Sequence, residues 1–183
     1  MEYKFPEYYN YPFMYTLQKN QDIKDKQLKM WTDIICGYCQ HSKIYQVGIS
    51  ELYNSKICIN TQIDRRISLN FMQNLIEHMV KHGINNLGFA EYTNTSKDKV
   101  FIYFKSVQEV AKWIYEWADR TGRIGSVETI VDLSEAEENS KELFYKVPVE
   151  IIKKACDALQ RESKAEVFYS EKSKEYGVKF FHM

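Results

Sequence analysis

The chain of 183 residues is short of the two residues that shape tight backbone, with 7 glycines and 3 prolines. So few glycines leave little material for a loop that cradles phosphate, and no glycine-rich phosphate motif is present. Net charge is also missing, because 25 Lys and Arg are matched by 25 Asp and Glu. A protein that neutralises several phosphates usually carries a basic excess, so nucleic acid is not expected as a partner. No run of 18 apolar residues occurs, so no spanning helix is expected, and the polar, tyrosine-rich start lacks the apolar segment of a signal peptide. The expected location is the cytoplasm, where the four cysteines, Cys36, Cys39, Cys58 and Cys156, stay reduced.

What the chain does have is apolar bulk, 44% hydrophobic and 15% aromatic, as in a packed globular protein. The rings crowd into one N-terminal stretch, Phe5-Pro6-Glu7-Tyr8-Tyr9-Asn10-Tyr11-Pro12-Phe13-Met14-Tyr15-Thr16-Leu17, which follows neither a helical nor a strand period. Proline fixes φ and biases the preceding residue to extended backbone, so this arm is expected to be extended or polyproline-like, with its rings held out. Tyr and Phe on a stiff backbone supply large contact area at little entropic cost. Two uses are open: the arm covers this protein's own core, or it inserts into a partner.

Beyond the arm the elements come in a repeated order. Asp22 is placed to cap a helix to about Gln40 with Leu28, Trp31, Ile35 and Tyr38 on one face. A strand follows at 44–49, and then an ambiguous stretch from Leu52 to Ile67, read as a short helix ending near Asp64-Arg65-Arg66. Ser68 caps the next helix, stopped by Gly83, and strands at 87–92 and 100–104 form a hairpin. In the second half Ser106 and Glu109 make a capping box for a helix whose Val110, Trp113, Ile114 and Trp117 point inward. A strand is expected at 126–133, then an acidic loop at 135–142, a helix opening at Pro148, and a closing hairpin of 165–169 with 178–181.

Trp31 to Tyr45 and Trp113 to Val127 span the same fourteen positions, which marks an internal repeat. Helix, strand, helix, helix, hairpin is the order of a winged helix, so the fold class expected is α+β, two tandem winged-helix domains behind an extended arm. The boundaries read are 1–21 for the arm, 22–105 for the first domain and 106–183 for the second, with almost no linker at Lys105-Ser106.

No motif names a reaction. Cys36-Gly37-Tyr38-Cys39 matches C-x-x-C, but it closes a helix, whereas a redox pair opens one, where the helix dipole lowers the thiol pKa. His78 and His82 lie four apart on one helix without a third ligand, so no metal and no cofactor are expected. The fold order alone admits a winged-helix DNA-binding regulator, although the outward residues of both candidate recognition helices are of mixed charge. Asp132, Glu135, Glu137, Glu138 and Glu142 form the most one-sided charge cluster, either a solubilising loop or a surface for a basic partner.

Several stretches together resemble the small-subunit family of the ESCRT-II endosomal sorting complex. They are Tyr15-Thr16-Leu17-Gln18 ending the arm, Lys26-Gln27-Leu28 and Trp31, Trp113-Ile114-Tyr115-Glu116-Trp117, Ser126-Val127 and Asp132-Leu133-Ser134. Ala158 to Glu166 and Gly177-Val178-Lys179-Phe180-Phe181 complete the set. The resemblance implies a non-enzymatic adaptor with two winged helices, two copies of which join the larger subunits, vacuolar protein sorting proteins 22 and 36. It implies that the arm docks through P-P-x-Y-like motifs, here Pro6-Glu7-Tyr8-Tyr9 and Pro12-Phe13-Met14-Tyr15, with Glu7 and Phe13 in place of the second proline. The partner-binding residues so assigned are Pro6, Tyr8, Tyr9, Pro12, Phe13, Met14 and Tyr15, and loss of Tyr9 and Tyr15 is expected to leave the fold intact. It further implies that the second domain recruits the ESCRT-III subunit vacuolar protein sorting protein 20, for which Val127, Glu128, Thr129, Asp132, Glu137 and Glu138 are the candidate contacts. Membrane contact is then expected only through the complex, on the endosome.

Overall fold

The computed structural model describes residues 2–82 and 89–182, so Gly83 as a helix stop and Leu87 as a strand start lie outside the described residues. The chain divides into two compact units, Met1–Phe104 and Lys105–Met183. The architecture is α+β in each.

In the first unit α1 (Gln21–Ser42) starts at Asn20, whose side chain accepts from the Ile23 N–H at 3.2 Å. Asn20 is therefore the cap, and Asp22 sits inside the first turn. Then follow β1 (Gln46–Gly48), α2 (Ile49–Tyr53), β2 (Ile59–Asn60), β3 (Arg65–Arg66), α3 (Leu69–Lys81), β4 (Ala90–Tyr92) and β5 (Lys99–Ile102). The sheet runs β1-β5-β4, all antiparallel. The expected helix end at Asp64-Arg65-Arg66 is instead a turn into a ribbon. Asp64 takes a left-handed φ of 50°, which reverses the chain so that Arg65 and Arg66 pair with Asn60 and Ile59. Ser68 does cap α3, accepting from Phe71 N–H at 3.1 Å. The core gathers Trp31, Ile34, Ile35, Phe71, Leu75, Met79 and Val100, all 0% exposed, around the inner faces of α1 and α3.

The second unit repeats the element order without the β2-β3 ribbon: α4 (Val107–Arg120), β6 (Val127–Thr129), α5 (Ile130–Glu135), α6 (Val149–Arg161), β7 (Ala165–Ser170) and β8 (Glu175–Phe180). Its sheet runs β6-β8-β7, so again the first strand lies beside the last. The capping box forms at α4: Ser106 Oγ accepts from Glu109 N–H at 3.1 Å while the Glu109 carboxylate accepts from Ser106 N–H at 2.9 Å. The strand expected over 126–133 stops after three residues. Thr129 Oγ1 accepts from Asp132 N–H at 2.9 Å, an N-cap that turns the apolar run Ile130-Val131 into helix. The repeat holds for element order and fails for its tryptophans, since Trp31 is fully buried and Trp113 only half-buried. In α4 the buried ring is Trp117, set edge-on to Phe144 with centroids 5.5 Å apart.

Candidate docking surfaces

The arm is neither extended nor a polyproline helix. It makes two 3-10 turns, Glu7–Asn10 and Pro12–Tyr15, joined by Tyr11 in extended backbone. A proline φ suits a 3-10 turn as well as polyproline, so the ring alone does not choose between them. The turns win because they form local bonds, Tyr9 N–H to Pro6 O at 3.0 Å and Met14 N–H to Tyr11 O at 2.9 Å, and roll one set of rings into the core.

Tyr9, Met14 and Tyr15 are that set, 6%, 0% and 5% exposed. The Tyr9 ring stacks on Phe5 at 4.1 Å and meets Tyr15 and Trp31 edge-on at 5.9 and 6.2 Å. Its hydroxyl donates to Lys56 O at 2.7 Å, and Tyr15 Oη donates to Tyr9 O at 2.8 Å. Burial pushes both phenols above their ordinary pKa, Tyr9 the further. Of the seven arm residues assigned to a partner, these three line the protein's own core, and their loss should unseat the fold rather than spare it. Pro6 and Tyr8 are half-buried. Pro12 is exposed, and Phe13 is 56% exposed. Sequence reasoning passed over Tyr11, 40% exposed, whose ring lies 5.7 Å from that of Phe13. Tyr11, Pro12 and Phe13 thus form a knob on a fixed base.

The base is built from α1 and β2. Gln27 Nε2 lies 3.0, 3.2 and 2.9 Å from the carbonyls of Phe13, Met14 and Thr16, and its Oε1 accepts from Gln18 N–H at 3.1 Å. Trp31 Nε1 donates to Met14 O at 2.8 Å, and Asn60 Nδ2 donates to Asn10 Oδ1 at 2.9 Å. Helical spacing pointed Trp31 inward but gave no sign that Gln27, 3% exposed, was a core polar residue.

In the second unit the candidate contacts do not form one acidic face. Val127 is 56% exposed on the edge strand β6. Glu128 pairs with Arg123 at 3.0 Å, Glu138 pairs with the same guanidinium at 3.1 Å, and Glu142 pairs with Arg120 at 2.8 Å. Two arginines from outside the loop therefore offset charge that the linear sequence leaves bare. Thr129 is spent on the α5 cap, while Asp132 and Glu137 stay exposed.

The thiols are not poised for chemistry. Cys36 is half-buried, the other three are buried, and burial pushes all four up to about 12. His78 and His82 stack with centroids 4.4 Å apart, and among the described residues no three metal-ligating side chains converge. No helix among the described residues is long and apolar enough to cross a membrane.

Two small α+β units, the first with exposed rings on an arm seated in its core, are the class of protein that the structure defines. Comparison with known proteins gives that class its family. A family model described as ESCRT-II complex subunit matches residues 8–148, and the chain belongs to that family. It is 33% identical to vacuolar protein-sorting-associated protein 25 of Danio rerio over 99% of this chain and 100% of that one. Against the protein of the same name from Homo sapiens it is 31% identical, over 99% of both chains. Among solved structures, a chain of the ESCRT-II endosomal trafficking complex superposes with a TM-score of 0.77 at 26% identity, covering 96% of this chain and 98% of that one. A crystal structure of subunit VPS25 of the same complex gives 0.76 at 24% identity. The chain is accordingly a subunit of a trafficking complex and not an enzyme.

Proposed function

We propose that this chain is an adaptor of endosomal sorting, docking on the larger ESCRT-II subunits through its first unit and recruiting an ESCRT-III subunit through its second. The observation that carries the reading is the knob: Tyr11, Pro12 and Phe13 are exposed on an arm whose Tyr9 and Tyr15 rings are buried in the core. Rings held in place before binding lose little entropy on docking, which is the property of an anchor. A related solved structure is that of ESCRT-II as VPS22/VPS25/VPS36, so the partners of the knob are the counterparts of vacuolar protein sorting proteins 22 and 36. Each unit is read as a winged helix, with two copies of the chain in each complex. The protein is cytoplasmic in this reading and reaches the endosomal membrane through the complex.

For the second unit the proposed contact is vacuolar protein sorting protein 20, through Val127, Asp132, Glu137 and Glu138. Co-expression of the chain with the two larger subunits of its own organism, followed by mass determination, tests the first contact. A stable assembly with two copies is expected, and Tyr11→Ala with Phe13→Ala should lose it. A chain that stays alone would reject the reading. Glu137→Lys with Glu138→Lys should weaken ESCRT-III binding, and unchanged affinity would move that site elsewhere. A low-salt gel shift with bound DNA would favour the DNA-binding alternative, against which Lys153 on α6 is already engaged by Asp157 at 2.8 Å.

A further inference from the structure

The polyproline stiffness expected of the arm is absent, so something else must hold the knob still. The structure assigns this to Gln27: we propose that Gln27, assisted by Trp31, is a positioning residue for docking, fixing Phe13 and Tyr11 through bonds to the arm's backbone. The inference rests on the reading that the knob docks, and adds how docking is made affordable.

The Gln27 side chain is 3% exposed and reaches the arm at four points across six residues, from Phe13 O to Gln18 N–H. Its Nε2 has two hydrogens for three carbonyls within 3.2 Å, so the bonds are shared and the row of carbonyls is gripped as a unit. Trp31 Nε1 adds a further donor to Met14 O at 2.8 Å. Between them these two α1 side chains serve the carbonyls of residues 13, 14 and 16. The carbonyl of Phe13 belongs to the residue whose ring is exposed, so the clamp ends where the knob begins. Because these bonds go to backbone, they are indifferent to the side chain at 13.

An arm without the clamp would populate the docking conformation only part of the time, and apparent affinity falls by that fraction. The test measures affinity for the purified pair of larger subunits at a temperature where circular dichroism reports every variant folded. Amide hydrogen exchange of the arm peptide is followed alongside. Phe13→Ala probes the docking reading. Gln27→Met keeps the bulk and removes the polar atoms, and Trp31→Phe removes the donor to Met14 O together with part of a buried ring, a loss of packing that the Val100→Ala control brackets. Val100→Ala, in a fully buried position on β5, is a destabilised control. The expected result is on the order of tenfold weaker docking for Phe13→Ala and for Gln27→Met, and a few-fold for Trp31→Phe. Arm exchange should quicken in the two clamp variants only, with docking by Val100→Ala unchanged. If Phe13→Ala binds like the unaltered chain, the docking reading itself fails. If Phe13→Ala is weak while Gln27→Met and Trp31→Phe bind normally, the positioning role fails and the docking reading survives. Equal weakening by Val100→Ala would also overturn the role, since general stability would then explain it. Should Gln27→Met not fold, Trp31→Phe decides.

Discussion

Replacing Tyr9 by Ala removes a ring that is 6% exposed, stacked on Phe5 and edge-on to Tyr15 and Trp31, together with a hydroxyl bonded to Lys56 O. Truncating a buried aromatic to Ala costs about 3–5 kcal/mol. The hydroxyl bond accounts for roughly 1 kcal/mol of that, so Tyr9→Phe should cost about 1 kcal/mol and leave the packing in place. Four residues away, Phe13→Ala truncates a ring that is 56% exposed and should fall within about 0.5 kcal/mol of the unaltered chain. For a unit of this size, 4 kcal/mol corresponds to a midpoint shift on the order of 15 °C. Thermal and urea unfolding by circular dichroism, with peptide-resolved hydrogen exchange to identify the unit affected, gives the three values. The steep order Ala at 9, Phe at 9, Ala at 13 is the signature of an arm that is half core and half surface. If Tyr9→Ala were as mild as Phe13→Ala, the arm would not be part of the core, and the clamp argued from its backbone bonds would fall with it.

Gly177 faces Phe168 across the β7–β8 ladder, and a Cβ there would come within 2.7 Å of the Phe168 ring. Gly177→Ala should destabilise by about 1–3 kcal/mol, and adding Phe168→Ala should return part of the loss in a double-mutant cycle by urea unfolding. The Glu109 carboxyl is held below the usual carboxylate range, first by the hydrogen bond it accepts from Ser106 N–H and then by Lys105 and Ser106 Oγ. A depressed folded pKa stabilises above the unfolded value and loses that contribution as pH falls through the folded one. Glu109→Gln should therefore cost more stability at neutral pH than in acid below the folded pKa, read from paired melting curves. All four thiols, pushed up to about 12, should resist iodoacetamide at pH 8 in the native chain and react fully in urea, as counted by mass spectrometry.

Where a local device decides an element, the sequence was a sufficient guide. Ser68, the Ser106 and Glu109 box, and the apolar stripes of α1, α3, α4 and α6 all act within a turn or two, and the structure has them. It was a poor guide where two local readings compete and a distant contact chooses. Val127 to Leu133 fits a strand or a capped helix, and only the pairing of three residues with β8 fixes where one becomes the other. The arm is the same case: its rings have no period, so which faces inward is settled by Trp31, Lys56 and Asn60, far along the chain. The ion pairs of the acidic cluster were hidden for a related reason, because Arg120 and Arg123 approach it only in three dimensions. Gln27 left no trace at all, since a polar residue beside an apolar stripe ordinarily belongs to the solvated face.

The bonds that seat Tyr9 join positions 47, 50 and 51 residues apart. During synthesis the arm leaves the ribosome ahead of its receptor, α1 and the stretch of Lys56 to Asn60, which is complete only some fifty residues later. A bare string of tyrosines and phenylalanines is thus exposed for the several seconds that translation of those residues takes, at roughly 5–20 residues per second. Closure over so long a loop comes late in folding. The arm is made before the place it must fill, and until it is seated its rings stay open to chaperones and to neighbouring chains.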